Sequence, residues 1–158
     1  MLNADLKQQL KQLLELMEGD VEFVASLGSD DKSKELKELL DEVADMSAHI
    51  TVTEKSLKRT PSFSVNRPGE ETGITFAGIP LGHEFNSLVL AILQVSGRAP
   101  KEQQSVIDQI KGLEGSFNFE TYVSLTCQKC PDVVQALNLM SVINPNITHT
   151  MIDGAVFR

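Results

Sequence analysis

The order of helical and strand patterns along the chain constrains its fold more than any other feature. Three stretches with apolar residues at helical spacing predict helices: 4–17, 33–46 and 83–96. Four short stretches, which alternate or are rich in β-branched residues, predict strands: 21–26, 50–53, 61–65 and 73–76. The first 96 residues therefore have the order α-β-α-β-β-β-α, which predicts an α/β protein.

This order is that of a thioredoxin-like fold, in which a parallel β-α-β unit precedes a β-hairpin and a final helix. After a short linker at 97–100 the pattern begins again. Helices are predicted at 101–113 and 131–143, and strands at 117–125 and 147–152.

Two short matches place the halves in register. Val24–Leu27 matches Tyr122–Leu125 at an offset of 98 residues, and Ile50-Thr51 matches Ile147-Thr148 at an offset of 97. We therefore predict two tandem thioredoxin-like folds, at residues 1–97 and 98–158. The second fold is incomplete in this chain, because no hairpin or last helix follows its second strand.

The charge and the apolar runs exclude several classes of partner. The net charge of −8 argues against nucleic acid and anionic membranes. The longest purely apolar run, Leu88–Leu93, is far shorter than the roughly 20 residues of a membrane span. The first five residues have no secretory pattern, and the chain has only two cysteines. We expect a cytoplasmic protein.

The two cysteines, Cys127 and Cys130, stand three residues apart between a predicted strand and a predicted helix. At the start of a helix, the unpaired backbone N–H groups and the helix dipole favour the thiolate, and the charge of Lys129 adds to this effect. The register places the pair opposite Ser29 and Lys32, so the first half has no dithiol.

Two other uses of the pair remain open. A structural zinc site needs four ligands, but there is no second cysteine pair, and His49, His83 and His149 are scattered along the chain. A purely structural disulfide that closes so small a loop adds little in a reducing compartment. An exchanging dithiol fits the position best.

Two stretches carry a resemblance to a known family. They are Leu81–Ala91 in the first half, and Phe119–Leu125 with Cys127 and Cys130–Met140 in the second. With Asn144-Pro145 and Ile152–Gly154, they resemble the amino-terminal domain of the flavoproteins of bacterial alkyl hydroperoxide reductases, known as AhpF. The resemblance covers essentially the whole chain.

The resemblance implies a thiol–disulfide oxidoreductase domain whose redox pair is Cys127 and Cys130. Such a domain takes electrons from the flavoprotein portion of the same polypeptide and reduces a peroxiredoxin partner, AhpC. FAD and NADH are expected in the absent carboxyl-terminal portion, and no cofactor or metal in this chain. The resemblance also suggests that Glu84, in the other fold, is an acidic group near the dithiol; a role only at the start of its helix is the alternative.

Two further functions stay open at this stage: a stand-alone glutaredoxin-like protein disulfide oxidoreductase, and a non-catalytic docking module. The first class usually keeps a cysteine pair in each half, whereas Ser29 and Lys32 stand in the first half here.

Three structural expectations follow. Cys127, at the strand-to-helix junction, should be the nucleophile, and Cys130, one turn into the helix, should be the more buried resolving thiol. Thr60-Pro61, at the start of the hairpin, should have a cis peptide bond. The incomplete second fold should have an open sheet edge and an apolar helix face, formed by Val133, Leu137 and Met140, which the first fold, further chain or a second copy in a homodimer covers.

Overall fold

A computed structural model describes residues 2–157 as a six-stranded sheet with five α-helices. The strands are β1 (Val21–Ser26), β2 (Ile50–Glu54), β3 (Ser62–Asn66), β4 (Ile74–Ala77), β5 (Phe117–Val123) and β6 (Ile147–Asp153). The helices are α1 (Ala4–Leu14), α2 (Asp31–Asp45), α3 (Phe85–Val95), α4 (Gln104–Lys111) and α5 (Cys130–Ile143), with a 3-10 turn, Gly82–Glu84, leading into α3.

The first half has the strand pairing expected of a thioredoxin-like fold. β1 pairs with β2 in parallel and with β3 antiparallel, and β3 pairs antiparallel with β4. In the second half β5 and β6 form the same kind of parallel β-α-β unit around α5. The prediction of two tandem thioredoxin-like folds, with the second incomplete, is confirmed.

The halves are joined into one sheet, which the sequence did not predict. β4 pairs in parallel with β6, so the strand order is β2-β1-β3-β4-β6-β5. The junction begins at Gly73, whose carbonyl accepts from the backbone N–H of His149 at 2.8 Å. A side-chain pair crosses the same boundary, with Arg59 Nη2 2.7 Å from Glu120 Oε2.

The core lies between one face of the sheet and the helices. Phe23, Phe63 and Phe76 are fully buried there, and successive ring centroids in this row are 5.4 Å apart. The opposite face carries polar side chains such as Ser64 and Thr148, which line an open cleft. Helices α1, α2, α3 and α5 share one hydrophobic cluster with the strands, whereas α4 buries no residue, so the two halves fold around one core.

Several predicted ends differ from the structure because the chain tightens there. α1 ends at Leu14 rather than at residue 17, since Leu16 and Met17 make i→i−3 backbone bonds that continue the chain as a 3-10 turn. The helix predicted from residue 83 begins as such a turn and becomes α-helical at Phe85. β5 ends at Val123, and α4 is shorter at both ends than its predicted range.

The buried faces of α2 and α5 support the sequence repeat. Leu36, Leu40 and Val43 are buried on α2, and the residues 98 positions later on α5, Val134, Asn138 and Ser141, are buried as well. This offset is the one found between Val24–Leu27 and Tyr122–Leu125. The buried polar residues of α5, Asn138 and Ser141, mark the places where the second half departs from a purely apolar core.

Two structural expectations have an outcome in the fold. The Thr60-Pro61 bond is cis, as predicted. The first half covers one edge of the second fold through the β4–β6 pairing, while β5 is left as an edge strand of the sheet. On α5, Val133 is 50% exposed, whereas Leu137 and Met140 are half-buried.

Candidate functional site

The two cysteines lie at the junction between β5 and α5. After Val123 the chain turns, and the backbone N–H of Cys127 donates to the carbonyl of Ser124 at 3.0 Å. Cys130 is the first residue of α5. The side chains of Cys127 and Cys130 form a disulfide across a Cα–Cα distance of 5.6 Å. The turn and the helix start therefore bring the predicted redox pair together.

The start of α5 directs a backbone donor at the outer sulfur. Lys129, the residue before the helix, makes no capping hydrogen bond with its side chain. The N–H of Cys130 instead donates to Cys127 Sγ at 3.2 Å. In the first half, Asp30 Oδ2 accepts from the N–H of Ser33 at 3.3 Å, across the same three-residue step. A sulfur thus takes the place of a capping oxygen, and after reduction of the disulfide the N–H of Cys130 would stabilise negative charge on it.

The Cys127–Cys130 disulfide is accessible from solvent. Both cysteines are half-buried, and Cys130, at the first position of α5 rather than one turn into it as predicted, also packs against the hydrophobic core. Exposed apolar side chains lie nearby in sequence on each side, with Val133 50% and Tyr122 60% exposed. A partner can therefore approach Cys127 across a partly apolar surface.

Glu84 belongs to the segment of the first half that packs against the dithiol loop. The backbone N–H of His83 donates to the carbonyl of Leu125 at 3.0 Å, two residues before Cys127. Gly82 lies so close that a Cβ there would be 2.8 Å from the same carbonyl oxygen. The 3-10 turn also contacts α5, so the first half supports the loop and helix that hold the cysteines.

The Glu84 carboxyl group is fully buried and only partly hydrogen-bonded. Its Oε1 accepts from the Ser87 hydroxyl at 2.8 Å, and that hydroxyl oxygen accepts from Gln135 Nε2 on α5 at 3.1 Å. Its Oε2 has no hydrogen-bond partner. Burial raises the pKa of this carboxyl group, and the bond from Ser87 and the nearby His83 oppose that effect.

A buried polar group beneath α5 was missed by the sequence analysis. His149 on β6 is fully buried, with Nδ1 2.8 Å from Asn138 Oδ1 and Nε2 2.8 Å from Thr121 Oγ1. Burial lowers the pKa of His149 to about 4, so the ring is neutral at pH 7. Asn138, a polar residue at the position that Leu40 fills in the first half, is the signal that could have revealed it.

Two features are absent from the described residues, 2–157. They contain no group of three or more His, Cys, Asp or Glu side chains that could hold a metal ion. No helix among them is long and apolar enough to cross a membrane.

Comparison with solved structures decides the family. The NTD_N/C domain of alkyl hydroperoxide reductase AhpF from Enterococcus faecalis superposes with a TM-score of 0.92 and is 33% identical, covering 99% of this chain and 82% of that one. This chain belongs to the family of amino-terminal domains of AhpF. No protein-family profile matches it.

Curated relatives agree with this assignment. The AhpF protein from Staphylococcus epidermidis is 93% identical over the whole chain, and that from Staphylococcus aureus strain MRSA252 is 89% identical. This chain spans 31% of the length of each. A protein disulfide oxidoreductase from Aeropyrum pernix shares the fold, with a TM-score of 0.83 at 19% identity.

Proposed function

We propose that this chain is a dithiol–disulfide electron-transfer domain. In this proposal it accepts electrons from the flavoprotein portion of a longer AhpF polypeptide, which binds FAD and NADH, and passes them to the peroxiredoxin AhpC in the cytoplasm. The observation that carries the proposal is the accessible Cys127–Cys130 disulfide at the start of α5 in a member of this family. Residues 98–158 form the redox fold, and residues 1–97 form its supporting fold.

The exchange proceeds in two balanced steps. The Cys127 thiolate attacks one sulfur of the partner disulfide and forms a mixed disulfide, while the other partner sulfur leaves as a thiolate. Cys130, as a thiolate, then attacks Cys127 Sγ and releases the second partner sulfur. Two electrons pass to the partner, and this domain ends as the Cys127–Cys130 disulfide. The N–H of Cys130 favours Cys127 as the first nucleophile, because it stabilises the thiolate.

The direct test is reduction of the peroxiredoxin by this domain. The domain is reduced with dithiothreitol, separated from the reductant and mixed with oxidised peroxiredoxin, and the thiols on the peroxiredoxin are then counted. We expect the domain to deliver one dithiol for each one that it loses. The Cys127→Ser variant is the matched control and should deliver none. Transfer by that variant at the parent rate would overturn the proposal.

The order of attack is tested by trapping. The Cys130→Ser variant lacks the resolving thiol, so it should accumulate a mixed disulfide between Cys127 and the partner, visible on a non-reducing gel. Cys127→Ser should not accumulate one. Accumulation by Cys127→Ser alone would reverse the assignment.

The proposal also gives Glu84 a positioning role in proton transfer. Its buried carboxyl group, with the Oε2 atom unpaired, belongs to a segment packed against the dithiol loop. As a carboxylate it can accept the proton of the Cys130 thiol as that thiol attacks, and its raised pKa, which burial causes, favours that transfer. The alternative is that Glu84 only complements the start of α3, where its carboxyl group accepts from Ser87.

The Glu84→Gln variant separates these roles. If Glu84 exchanges a proton with Cys130, partner reduction should slow about tenfold, and its dependence on pH should change shape between pH 5 and 8. Glu15→Gln, on exposed surface of the first half, is the control. A parent-like pH profile in Glu84→Gln would leave Glu84 as a helix-start residue.

A further inference from the structure

Two polar side chains connect Glu84 to the helix that carries Cys130. Ser87 lies in the first turn of α3 and is fully buried, and Gln135 lies on α5 and is half-buried. Gln135 Nε2 donates to Ser87 Oγ at 3.1 Å, and the Ser87 hydroxyl donates to Glu84 Oε1 at 2.8 Å. A chain of two hydrogen bonds therefore crosses from the second half of the molecule to the carboxyl group in the first.

This chain of hydrogen bonds has a fixed direction. A hydroxyl group has one hydrogen, so when Ser87 donates to Glu84, its oxygen is left to accept from the amide of Gln135. Oε1 of Glu84 is thereby held as an acceptor. Oε2 is buried and has no hydrogen-bond partner among the described residues. A proton on Oε2 leaves Oε1 as a carbonyl oxygen, which still accepts from Ser87, so both bonds survive protonation of the carboxyl group.

The bond from Ser87 also opposes the effect of burial. Burial raises the pKa of Glu84, the Ser87 bond lowers it, and His83 in the same turn lowers it further. The loop and helix packed against this turn carry the two cysteines and two charged side chains, Lys129 and Asp132, which are exposed, as His83 is. Ser87 is therefore the buried neighbour that keeps more of Glu84 as a carboxylate, the form that accepts a proton.

We propose that Ser87 and Gln135 are positioning residues for the proton transfer between Cys130 and Glu84. This inference rests on the proposed function, in which Cys130 resolves the mixed disulfide. Gln135 directs the Ser87 hydroxyl at Oε1, and Oε2 is left to accept the proton. In the resolving step Cys130 Sγ attacks Cys127 Sγ, the partner sulfur leaves as a thiolate, and the proton of the Cys130 thiol passes to Oε2. A link that only stabilises the packing of α3 on α5 would not affect this transfer.

The resolving step can be measured without the peroxiredoxin. The reduced protein is mixed with less than one equivalent of dithiobis(nitrobenzoate), a small aromatic disulfide. Attack by Cys127 releases the first thiolate of the reagent, and attack by Cys130 releases the second, so the second phase of absorbance in a stopped-flow instrument reports resolution. In the parent this phase should become faster as the pH rises and Glu84 loses its proton.

Ser87→Ala should move the pH midpoint of that phase upwards by about one unit. The carboxylate loses a hydrogen bond that stabilises it, so the pKa of Glu84 rises, and a higher pH is needed before Glu84 can accept a proton. Ser87→Thr keeps the hydroxyl group and should keep the parent midpoint, even where the added methyl group lowers stability. NMR titration of labelled glutamate carboxyl groups, with the Glu84 signal assigned by Glu84→Gln, should show the same shifts.

A double-mutant cycle tests whether Gln135 acts through Ser87. Gln135→Leu removes the donor to the hydroxyl group and should move the midpoint upwards by less than Ser87→Ala does. In the Ser87→Ala background it should have no further effect, because the hydroxyl group through which it acts is gone. Gln109→Leu, on the exposed side of α4, is the matched control and should keep the parent midpoint.

Three outcomes would overturn this inference: a parent midpoint in Ser87→Ala, a shift in the NMR titration that the second phase does not follow, or a full effect of Gln135→Leu in the Ser87→Ala background. Failure of the proposed function gives a different result. The parent would then resolve the aromatic disulfide with the expected dependence on pH and yet leave the peroxiredoxin oxidised, which would support the positioning roles of Ser87 and Gln135.

Discussion

His149 shows how one buried side chain couples the stability of this domain to pH. Its ring joins β5, β6 and α5, because Thr121 and Asn138 hold its two nitrogens. Since Asn138 Oδ1 can only accept, Nδ1 carries the proton and Nε2 accepts from the Thr121 hydroxyl. The neutral ring therefore has both of its nitrogens hydrogen-bonded, and a second proton would place an unpaired charge in the core.

We predict that this domain loses stability as the pH falls below 6.5. The pKa of His149 is about 4 in the folded protein against 6.5 in the unfolded chain, so the unfolded chain binds the proton first. Between pH 7.5 and pH 5 the loss from this group should be about 2 kcal/mol.

Urea denaturation at both pH values measures this loss. His149→Gln should be less stable than the parent at pH 7.5 and should show a smaller fall towards pH 5. The exposed residue Gln8 on α1, which carries no titratable group, gives the control: Gln8→Ala should keep the parent slope. Equal slopes in His149→Gln and the parent would contradict the prediction.

Among the secondary-structure elements, the 3-10 turn Gly82–Glu84 connects the first half to the loop that precedes Cys127. It does so through the hydrogen bond from the His83 N–H to the Leu125 carbonyl. Its Gly82 has a φ of 57° and approaches the Leu125 carbonyl so closely that a methyl group would have to displace that loop. The first half has no cysteine, yet in this way it helps to shape the surroundings of Cys127.

Gly82→Ala should therefore impair exchange more than it impairs folding. The new Cβ would lie 2.8 Å from the Leu125 carbonyl oxygen, and the shift this forces should slow partner reduction about tenfold. Gly115→Ala is the control, because Gly115 also has a positive φ but its Cβ would meet nothing within 4 Å. Comparable rates in the two variants, at comparable melting temperatures, would show that the turn does not position the dithiol.

Most elements could be predicted from sequence because each has a local pattern. The apolar spacing of α2, the β-branched residues of β2 and the position of Cys127 before a helix are all visible within about 15 residues. The last residue of α1 and the start of α3 could not be predicted, because the change between α-helical and 3-10 bonding there has no side-chain signature. The contact between Gly82 and Leu125 joins residues 43 positions apart, and no local pattern reports it.

At the scale of the whole molecule, the pairing of β4 with β6 makes two folds into one sheet. This pairing was also invisible in the sequence, because backbone hydrogen bonds between strands specify no side chains. The junction gives a reason for glycine at position 73 in addition to its backbone conformation. Gly73 has a φ of 87°, and a Cβ there would lie 2.9 Å from the carbonyl oxygen of Ile147.

Gly73→Ala should weaken the junction between the halves. A positive φ costs a residue with a Cβ about 1 kcal/mol, and the clash with β6 adds to that cost, so we expect a loss of at least about 2 kcal/mol. Gly69→Ala, with a φ of 75° and open space around it, should lose only about 1 kcal/mol.

Chemical denaturation followed by circular dichroism compares these two variants. In Gly73→Ala the transition should also broaden, as the two halves begin to unfold separately. A sharp transition and equal losses in both variants would show that β6 tolerates the methyl group and that the junction does not depend on Gly73.

The continuous sheet has a mechanical consequence. A ladder of backbone bonds along β4 and β6 resists sliding and bending between the halves much more than a flexible linker would. The two halves therefore form a single rigid body, with the disulfide beside the β5 edge of the sheet. In the electron transfer proposed above, the whole domain would have to turn between donor and acceptor, because the cysteine-bearing half cannot move separately from the other half.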